Sequence, residues 1–176
     1  MKIGLCGTMS VGKTTLVNAL REDFHFAHYQ TATERSKYLR DLGIPLNTDS
    51  TLKGQVIFLA ERAAELLQEN IITDRTVVDV MAFTKAAESI NYYEAEAFND
   101  LAKNLLHEYD YIFYVSPVGV EMEDNGVRET DLEYRSLIDF LIGLNLRTHK
   151  HRIKNLVTLS GTTEERIAKM KETIFG

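Results

Sequence analysis

Short apolar runs alternate along the chain with longer segments whose apolar residues recur at helical spacing. The short runs are rich in β-branched and aromatic residues and predict strands at residues 2–6, 24–30, 71–73, 111–115 and 156–159. The longer segments predict helices over residues 14–20, 34–42, 52–68, 79–87, 94–107, 132–146 and 162–174. Because strands that alternate with helices form parallel sheets, the pattern predicts a three-layer α/β fold with a five-stranded parallel sheet flanked by helices.

Length and composition limit the possible classes of protein. The 176 residues suit one domain with its own hydrophobic core, and no repeat or linker-like segment divides them. The formal net charge of -6 does not favour a uniformly basic surface for DNA, although DNA stays possible as a partner. Cys6 is the only cysteine, which excludes an internal disulfide and a cysteine-based zinc site. With no signal peptide and no apolar stretch of about 20 residues, we expect a cytoplasmic protein without a membrane partner.

A phosphate-binding motif follows the first predicted strand. Residues 7–14 read G-T-M-S-V-G-K-T and match the pattern G-x-x-x-x-G-K-[ST] at every fixed position. In such a loop the backbone N–H groups converge on a polyphosphate, and the N-terminus of the next helix adds positive potential. Lys13 is expected to reach the β- and γ-phosphates of ATP, and the Thr14 hydroxyl to bind Mg²⁺. The predicted ATP-binding residues are Gly7, Ser10, Val11, Gly12, Lys13, Thr14 and Thr15.

A second carboxylate lies at the end of the third predicted strand. Asp74 occupies the carboxyl end of this strand, where open α/β sheets place their sites. Its carboxylate can hold Mg²⁺ or accept the proton of an attacking hydroxyl. Arg75 beside it can contact a substrate phosphate through two hydrogen bonds. Asp79 is equally compatible with a helix cap and with a functional carboxylate.

Other polar residues are candidates for the acceptor pocket and for a mobile segment over the phosphates. Glu34 follows the second predicted strand and can orient or deprotonate a substrate hydroxyl. Arg35 and Gln55 are assigned to the same substrate pocket. A turn-forming cluster ends at Arg128, and Arg135 lies near the start of the following predicted helix. Two arginines on a closing lid can neutralise the charge of a phosphoryl group in transit.

Several short motifs together resemble a known family. They are G-x-x-x-V-G-K-T-T-L from Gly7, T-E-R-x-x-Y at residues 33–38, T-D-R-T-V-V-D at residues 73–79, and D-N-G-V-R at residues 124–128 with Arg135 beyond. The chain looks like the AAA-type ATPase/kinase family of phages and bacteria. That family is similar to the nicotinamide riboside kinase domain of bacterial NAD regulators and, more distantly, to deoxynucleoside monophosphate kinases.

The resemblance implies a P-loop kinase fold over residues 1–176, with a lid at approximately 117–136. It implies transfer of phosphate from ATP, with Mg²⁺, to a nucleoside- or nucleotide-like substrate, and a possible homodimer. If a phage encodes the chain, the location is the host cytoplasm. The catalytic residues that it implies are Lys13, Glu34, Asp74, Arg128 and Arg135, with Thr14 and Asp74 at the metal.

Other functions compete with that of a kinase for free nucleosides or nucleotides. A kinase acting on a hydroxymethylated base in phage DNA is equally compatible with the motifs. A P-loop NTPase, or a nucleotide-binding module without a small-molecule acceptor, is a further alternative. A GTPase is disfavoured because no N-K-x-D segment is present. A motor of the AAA type is disfavoured because the third strand ends in Asp74-Arg75 rather than in paired carboxylates.

Overall fold

The computed structural model describes residues 1–33, 36–120 and 131–176. Its sheet has five strands, all of them parallel to their neighbours, in the order β2-β3-β1-β4-β5. The strands are β1 Lys2–Cys6, β2 Gln30–Ala32, β3 Ile71–Asp74, β4 Tyr111–Val115 and β5 Leu156–Leu159. The predicted five-stranded parallel sheet and α/β class are therefore confirmed.

Helices cover both faces of the sheet. They are α1 Lys13–Glu22, α2 Ser36–Asp41, α3 Leu52–Glu65, α4 Val77–Ala86, α5 Tyr92–Ala102, α6 Leu132–Thr148 and α7 Thr163–Phe175. Apolar residues of α1 and α7 share one core with Ile3, Leu5 and Phe113 of the central strands. A second core, on the opposite face, joins α3, α4, α5 and α6. Since each face of a parallel sheet must be covered, these two cores account for the three layers.

Three of the helices begin with a reciprocal capping box. In α4, α5 and α7 the side chain before the helix accepts a hydrogen bond from the third helical residue, whose carboxylate accepts one in return. The pairs are Thr76 with Asp79, Asn91 with Glu94, and Thr162 with Glu165. These boxes satisfy N–H groups that have no partner inside the helix, so they fix where each helix begins.

Strand β1 lies at the centre of the sheet and needs a glycine in its middle. A Cβ atom at Gly4 would overlap the Thr76 side chain and lie 2.8 Å from the ring of Tyr109. Tyr109 is 1% exposed, and its hydroxyl accepts a hydrogen bond of 3.3 Å from the Val77 N–H. Because Tyr109 packs this closely under β1, it ties the start of α4 to the centre of the sheet.

The prediction of a strand at residues 24–30 is wrong. Residues Phe24–Phe26 form a 3₁₀ turn, and β2 is the three-residue segment Gln30–Ala32 at the edge of the sheet. Phe26 is buried and packs against the rings of Tyr29 and Phe175, with centroid distances of 5.9 and 5.5 Å. Phe26 therefore packs against α7, and this tertiary contact outweighs the preference of the segment for a strand.

Within the described residues, no helix combines the length and the apolar character that crossing a membrane requires.

Candidate active site

The loop between β1 and α1 surrounds a small cavity at the carboxyl edge of the sheet. The cavity is lined by Met9, Ser10, Val11, Gly12, Lys13, Thr14, Asp74 and Arg75. Gly12 has a φ of 84°, and a Cβ at Gly7 would lie 2.7 Å from the carbonyl oxygen of Val115. Both fixed glycines of the motif are thus required by geometry, one by its backbone conformation and one by a close approach to β4. The loop has the shape that the motif predicts.

Lys13 begins α1, and its side chain turns back over the loop. The side chain is buried, and its Nζ donates to the carbonyl oxygens of Gly7 at 2.8 Å and Thr8 at 2.7 Å. The ammonium group therefore lies inside the ring of loop residues, close to where their N–H groups converge. A polyphosphate in the loop would meet this positive charge directly.

Thr14 and Asp74 meet across the cavity. The Thr14 hydroxyl donates to Oδ2 of Asp74 at 2.5 Å, which joins the first turn of α1 to the end of β3. Asp74 is 1% exposed, and its Oδ1 has no hydrogen-bond partner among the residues that the structure describes. A hydroxyl beside a buried carboxylate with an unused oxygen is a donor set that suits Mg²⁺, which prefers hard oxygen ligands. The residues present therefore fit the predicted metal.

Asp79 supports the phosphate loop from behind. Its carboxylate, which is fully buried, accepts hydrogen bonds from the Gly7 N–H at 3.0 Å, the Thr76 N–H at 2.7 Å and the Thr76 hydroxyl at 3.0 Å. The sequence left a cap and a functional carboxylate open, and the geometry shows the cap together with a contact to the loop. The T-x-x-D spacing signals the cap. The contact with Gly7 depends on tertiary structure and has no signal in the sequence.

Arg75 lines the cavity in a strained backbone conformation. Its φ is 98°, which is rare for any residue other than glycine. The guanidinium lies 4.9 Å from the centroid of the Phe83 ring, and one nitrogen is 3.7 Å from the Asp79 carboxylate. Strain of this kind persists only where the surroundings impose it, and it is concentrated at functional sites. Arg75 therefore lines the cavity while its guanidinium contacts Phe83 and Asp79, and its assignment to a substrate phosphate stays a prediction.

We expect Arg75→Gly to be more stable than Arg75→Ala by about 1 kcal/mol, because only glycine adopts a φ in this region without strain. Both variants lose the same guanidinium, so the difference between their free energies of unfolding isolates the cost of the backbone conformation at residue 75. The free energy of unfolding in urea measures it. At Lys169, inside α7, the same pair should rank in the opposite order, since glycine weakens a helix. If the alanine variant at position 75 were as stable as the glycine variant, the prediction of a strained backbone at Arg75 would be wrong.

Arg135 lies on α6 and reaches the same loop. Its Nε donates to the carbonyl oxygen of Met9 at 3.2 Å, and its terminal nitrogens donate to those of Ser10 at 3.4 Å and Val120 at 3.1 Å. The Thr8 hydroxyl in turn donates to the backbone oxygen of Arg135 at 3.0 Å. One predicted lid arginine is therefore docked on the phosphate loop, bound to its carbonyl groups.

Arg166, on α7, also contacts the loop and was not predicted. Its Nη1 donates to the carbonyl oxygen of Val11 at 2.7 Å, and the residue is 4% exposed. An arginine at the fourth position of a helix matches no motif, so the sequence carried no signal for it.

Gln55 is a further predicted site residue that the structure describes. Gln55 is buried in the first turn of α3, and its side chain forms no hydrogen bond among the described residues. Glu34, Arg35 and Arg128 lie outside the described residues. Their assignments to the acceptor pocket and the lid stay predictions.

Cys6 adjoins the loop but has no part in its chemistry. Burial raises the pKa of the Cys6 thiol well above its ordinary value, and the negative charge of Asp79 adds to this effect. The thiol therefore stays protonated near neutral pH, and a protonated thiol is a poor nucleophile.

Comparisons with known proteins agree with this geometry. The sequence profile of a family described as AAA domain matches residues 2–166. No curated protein sequence matches the chain at a significant level.

Solved structures share the whole fold at low sequence identity. The structure of deoxyadenosine kinase from M. mycoides with the products dCMP and a flexible dCDP bound has 18% identity and a TM-score of 0.70, with 99% of this chain and 98% of that chain covered. The same kinase with bound dATP has 17% identity and a TM-score of 0.69, with both chains fully covered. NadR protein in complex with NR has 16% identity and a TM-score of 0.74, and the match covers 97% of this chain but 50% of that one. These similarities establish the fold.

Proposed function

Because this chain belongs to the AAA domain family and has the fold of these kinases, we propose that it is an ATP- and Mg²⁺-dependent phosphotransferase for a nucleoside- or nucleotide-like substrate. The observation that carries the proposal is the pairing of Thr14 with Asp74 beside Lys13. A loop that only bound phosphate would need neither a buried carboxylate at the end of β3 nor a hydroxyl aimed at it. The pair is the arrangement that a metal-assisted phosphoryl transfer requires.

Different residues of the site would bind the phosphates of ATP and the metal. Lys13 and the backbone N–H groups bind the phosphate oxygens, while Thr14 and Asp74 would hold the metal. When bound, Mg²⁺ neutralises charge on the β- and γ-phosphate oxygens. Arg135, which is docked against the loop, and Arg75, which lies beside Asp79 and Phe83, would exchange these protein contacts for contacts with phosphate. Arg128 and the lid at approximately 117–136 would complete the enclosure.

Transfer then follows an in-line displacement. The acceptor oxygen forms a bond to the γ-phosphorus as the bond from that phosphorus to the bridging oxygen breaks, and ADP leaves with that electron pair. The proton of the acceptor hydroxyl passes to a carboxylate, for which Glu34 and Asp74 are the two candidates. Arg35 and Gln55 would line the acceptor pocket. The protein contributes position and charge, which is what this reaction demands.

The molecules bound in the similar structures support a nucleoside- or nucleotide-like acceptor. One structure is a deoxyadenosine kinase with deoxynucleotides bound, and another is NadR protein in complex with NR. A small nucleoside or nucleotide is therefore the first candidate. A hydroxymethylated base within DNA is second, because the net charge of -6 gives little attraction for a DNA backbone. A cytoplasmic location and a homodimer belong to the same proposal. The location rests on the sequence, and the homodimer rests on the family resemblance.

Transfer of labelled γ-phosphate from ATP·Mg²⁺ tests the proposal against a panel of acceptors. The panel contains nucleosides, deoxynucleoside monophosphates, nicotinamide riboside, and DNA with and without hydroxymethylated pyrimidines. We expect label on one class of small nucleoside or nucleotide. Label on modified DNA alone would favour the second candidate. Label released only as inorganic phosphate would overturn the kinase in favour of an NTPase.

A further inference from the structure

A guanidinium group lies buried directly behind the phosphate loop. Arg166 projects from α7, is 4% exposed, and donates from Nη1 to the Val11 carbonyl oxygen at 2.7 Å. The same nitrogen is 3.2 Å from the position that a Cβ of Gly12 would occupy. Val11 and Gly12 both line the cavity of the loop. Arg166 therefore contacts two residues of the cavity wall without itself lining the cavity.

Within the part of the chain that the structure describes, no carboxylate pairs with the charge of Arg166. Among the described residues it forms no ion pair, and its buried Nε has no hydrogen-bond partner. Burial lowers the pKa of Arg166, and no neighbouring carboxylate acts in the opposite direction. A guanidinium nevertheless stays charged at neutral pH, and a buried charge without a partner costs stability. Arg62, which is buried as well, is neutralised in the ordinary way, because it pairs with Glu65 at 2.7 Å.

The hydrogen bond to Val11 also sets the direction of one loop N–H group. A trans peptide is planar, so its C=O and its N–H point in opposite directions. Since the Val11 carbonyl points at Arg166, the Gly12 N–H of the same peptide points away from α7. This N–H has no acceptor among the residues that the structure describes. A charged donor on the carbonyl also polarises the peptide and makes its N–H a stronger donor.

We propose that Arg166 is a further nucleotide-positioning residue, which holds the Gly12 N–H toward the bound polyphosphate and supplies a buried positive charge that the polyphosphate balances. The inference rests on the proposed function, because it assigns a residue of α7 to the same phosphate site. The proposed role of Arg166 can be distinguished from a role in packing. A packing residue stabilises the protein without nucleotide, whereas a charge without a partner stabilises the complex of the protein with a nucleotide.

Arg166→Met is the test, because methionine keeps the buried stem and removes the charge. We expect the dissociation constant of ADP·Mg²⁺, measured by calorimetry, to rise about tenfold, the usual weight of a charged hydrogen bond. The melting temperature without nucleotide should stay the same or rise, since a buried charge is removed. Lys169→Met removes an equal charge from the exposed face of α7 and should change neither quantity.

The outcomes separate this inference from the proposed function. Wild-type affinity for ADP·Mg²⁺ in Arg166→Met would overturn the inference alone, as would a lower melting temperature with unchanged affinity. A wild-type chain that binds no ADP would overturn the proposed function and the inference with it. If the methionine variant does not fold, Arg166→Gln replaces it, because glutamine also removes the charge but keeps a polar N–H donor. Weaker ADP binding by a folded Arg166→Gln would support the inference, and unchanged binding would overturn it.

Discussion

Replacing Lys13 with methionine is expected to lower the rate of phosphate transfer by about 10²-fold to 10³-fold, the usual cost of losing one preorganised donor at the reacting charge. The ammonium lies inside the loop at 2.8 Å or less from the carbonyl oxygens of Gly7 and Thr8, so it is held in place before any nucleotide arrives. Methionine keeps the buried stem and leaves the loop without that charge. The maximal rate of γ-phosphate transfer is the measurement.

The fold of this variant should survive, because the glycines and Asp79 shape the loop independently of the lysine. Thermal unfolding checks this directly. Lys150→Met, at an exposed turn far along the chain, is the matched control and should transfer phosphate at the wild-type rate. If Lys13→Met transferred phosphate at close to the wild-type rate, the loop would have no role in the reaction.

Asp74→Asn is expected to reduce transfer by about 10²-fold and to raise the Mg²⁺ concentration needed for half-maximal rate, since charge on the metal ligand is worth several kcal/mol. The amide has the shape of the carboxylate, and its oxygen can still accept the hydrogen bond from the Thr14 hydroxyl. The variant therefore removes one negative charge from a residue that is 1% exposed and alters little else. Rates over a series of Mg²⁺ concentrations measure both effects.

Asp100→Asn serves as the control, because its carboxylate is exposed on α5 and, among the described residues, contacts Lys103 alone. It should match the wild type at every Mg²⁺ concentration. If Asp74→Asn showed the same dependence on Mg²⁺ as the wild type, Asp74 would not be a metal ligand, and its role would be limited to the hydrogen bond with Thr14.

The sequence predicts the fold well wherever local pattern and tertiary packing agree. Four strands and the long helices follow from apolar periodicity, because buried parallel strands and amphipathic helices have different spacings. The segment at residues 24–30 shows the limit. Its aromatic residues satisfy a local preference for strands, yet Phe26 packs on Phe175, which is distant in the sequence. No window of residues around Phe26 contains that information.

In the site, too, some residues follow from local sequence pattern and others depend on tertiary contacts. The loop, Lys13, Thr14 and Asp74 could be identified because spacing alone places them together at the end of neighbouring strands. Asp79 and Arg166 support the loop from behind, and each does so through a single backbone group on a distant segment. A contact with the backbone leaves no pattern in the residue type at the other end, so such residues become visible only in three dimensions.

The position of β1 in the sheet affects how the protein is made. β1 leaves the ribosome before β3 and β4, although it pairs with both and lies between them. The loop that follows β1 depends on Asp79, on Val115 and on α7, so it stays without its supports until most of the chain has emerged. Pairings this distant in sequence slow folding and leave apolar strands exposed meanwhile. The loop therefore gains its contact with Arg166 only after α7 has been synthesised, well after β1 has emerged.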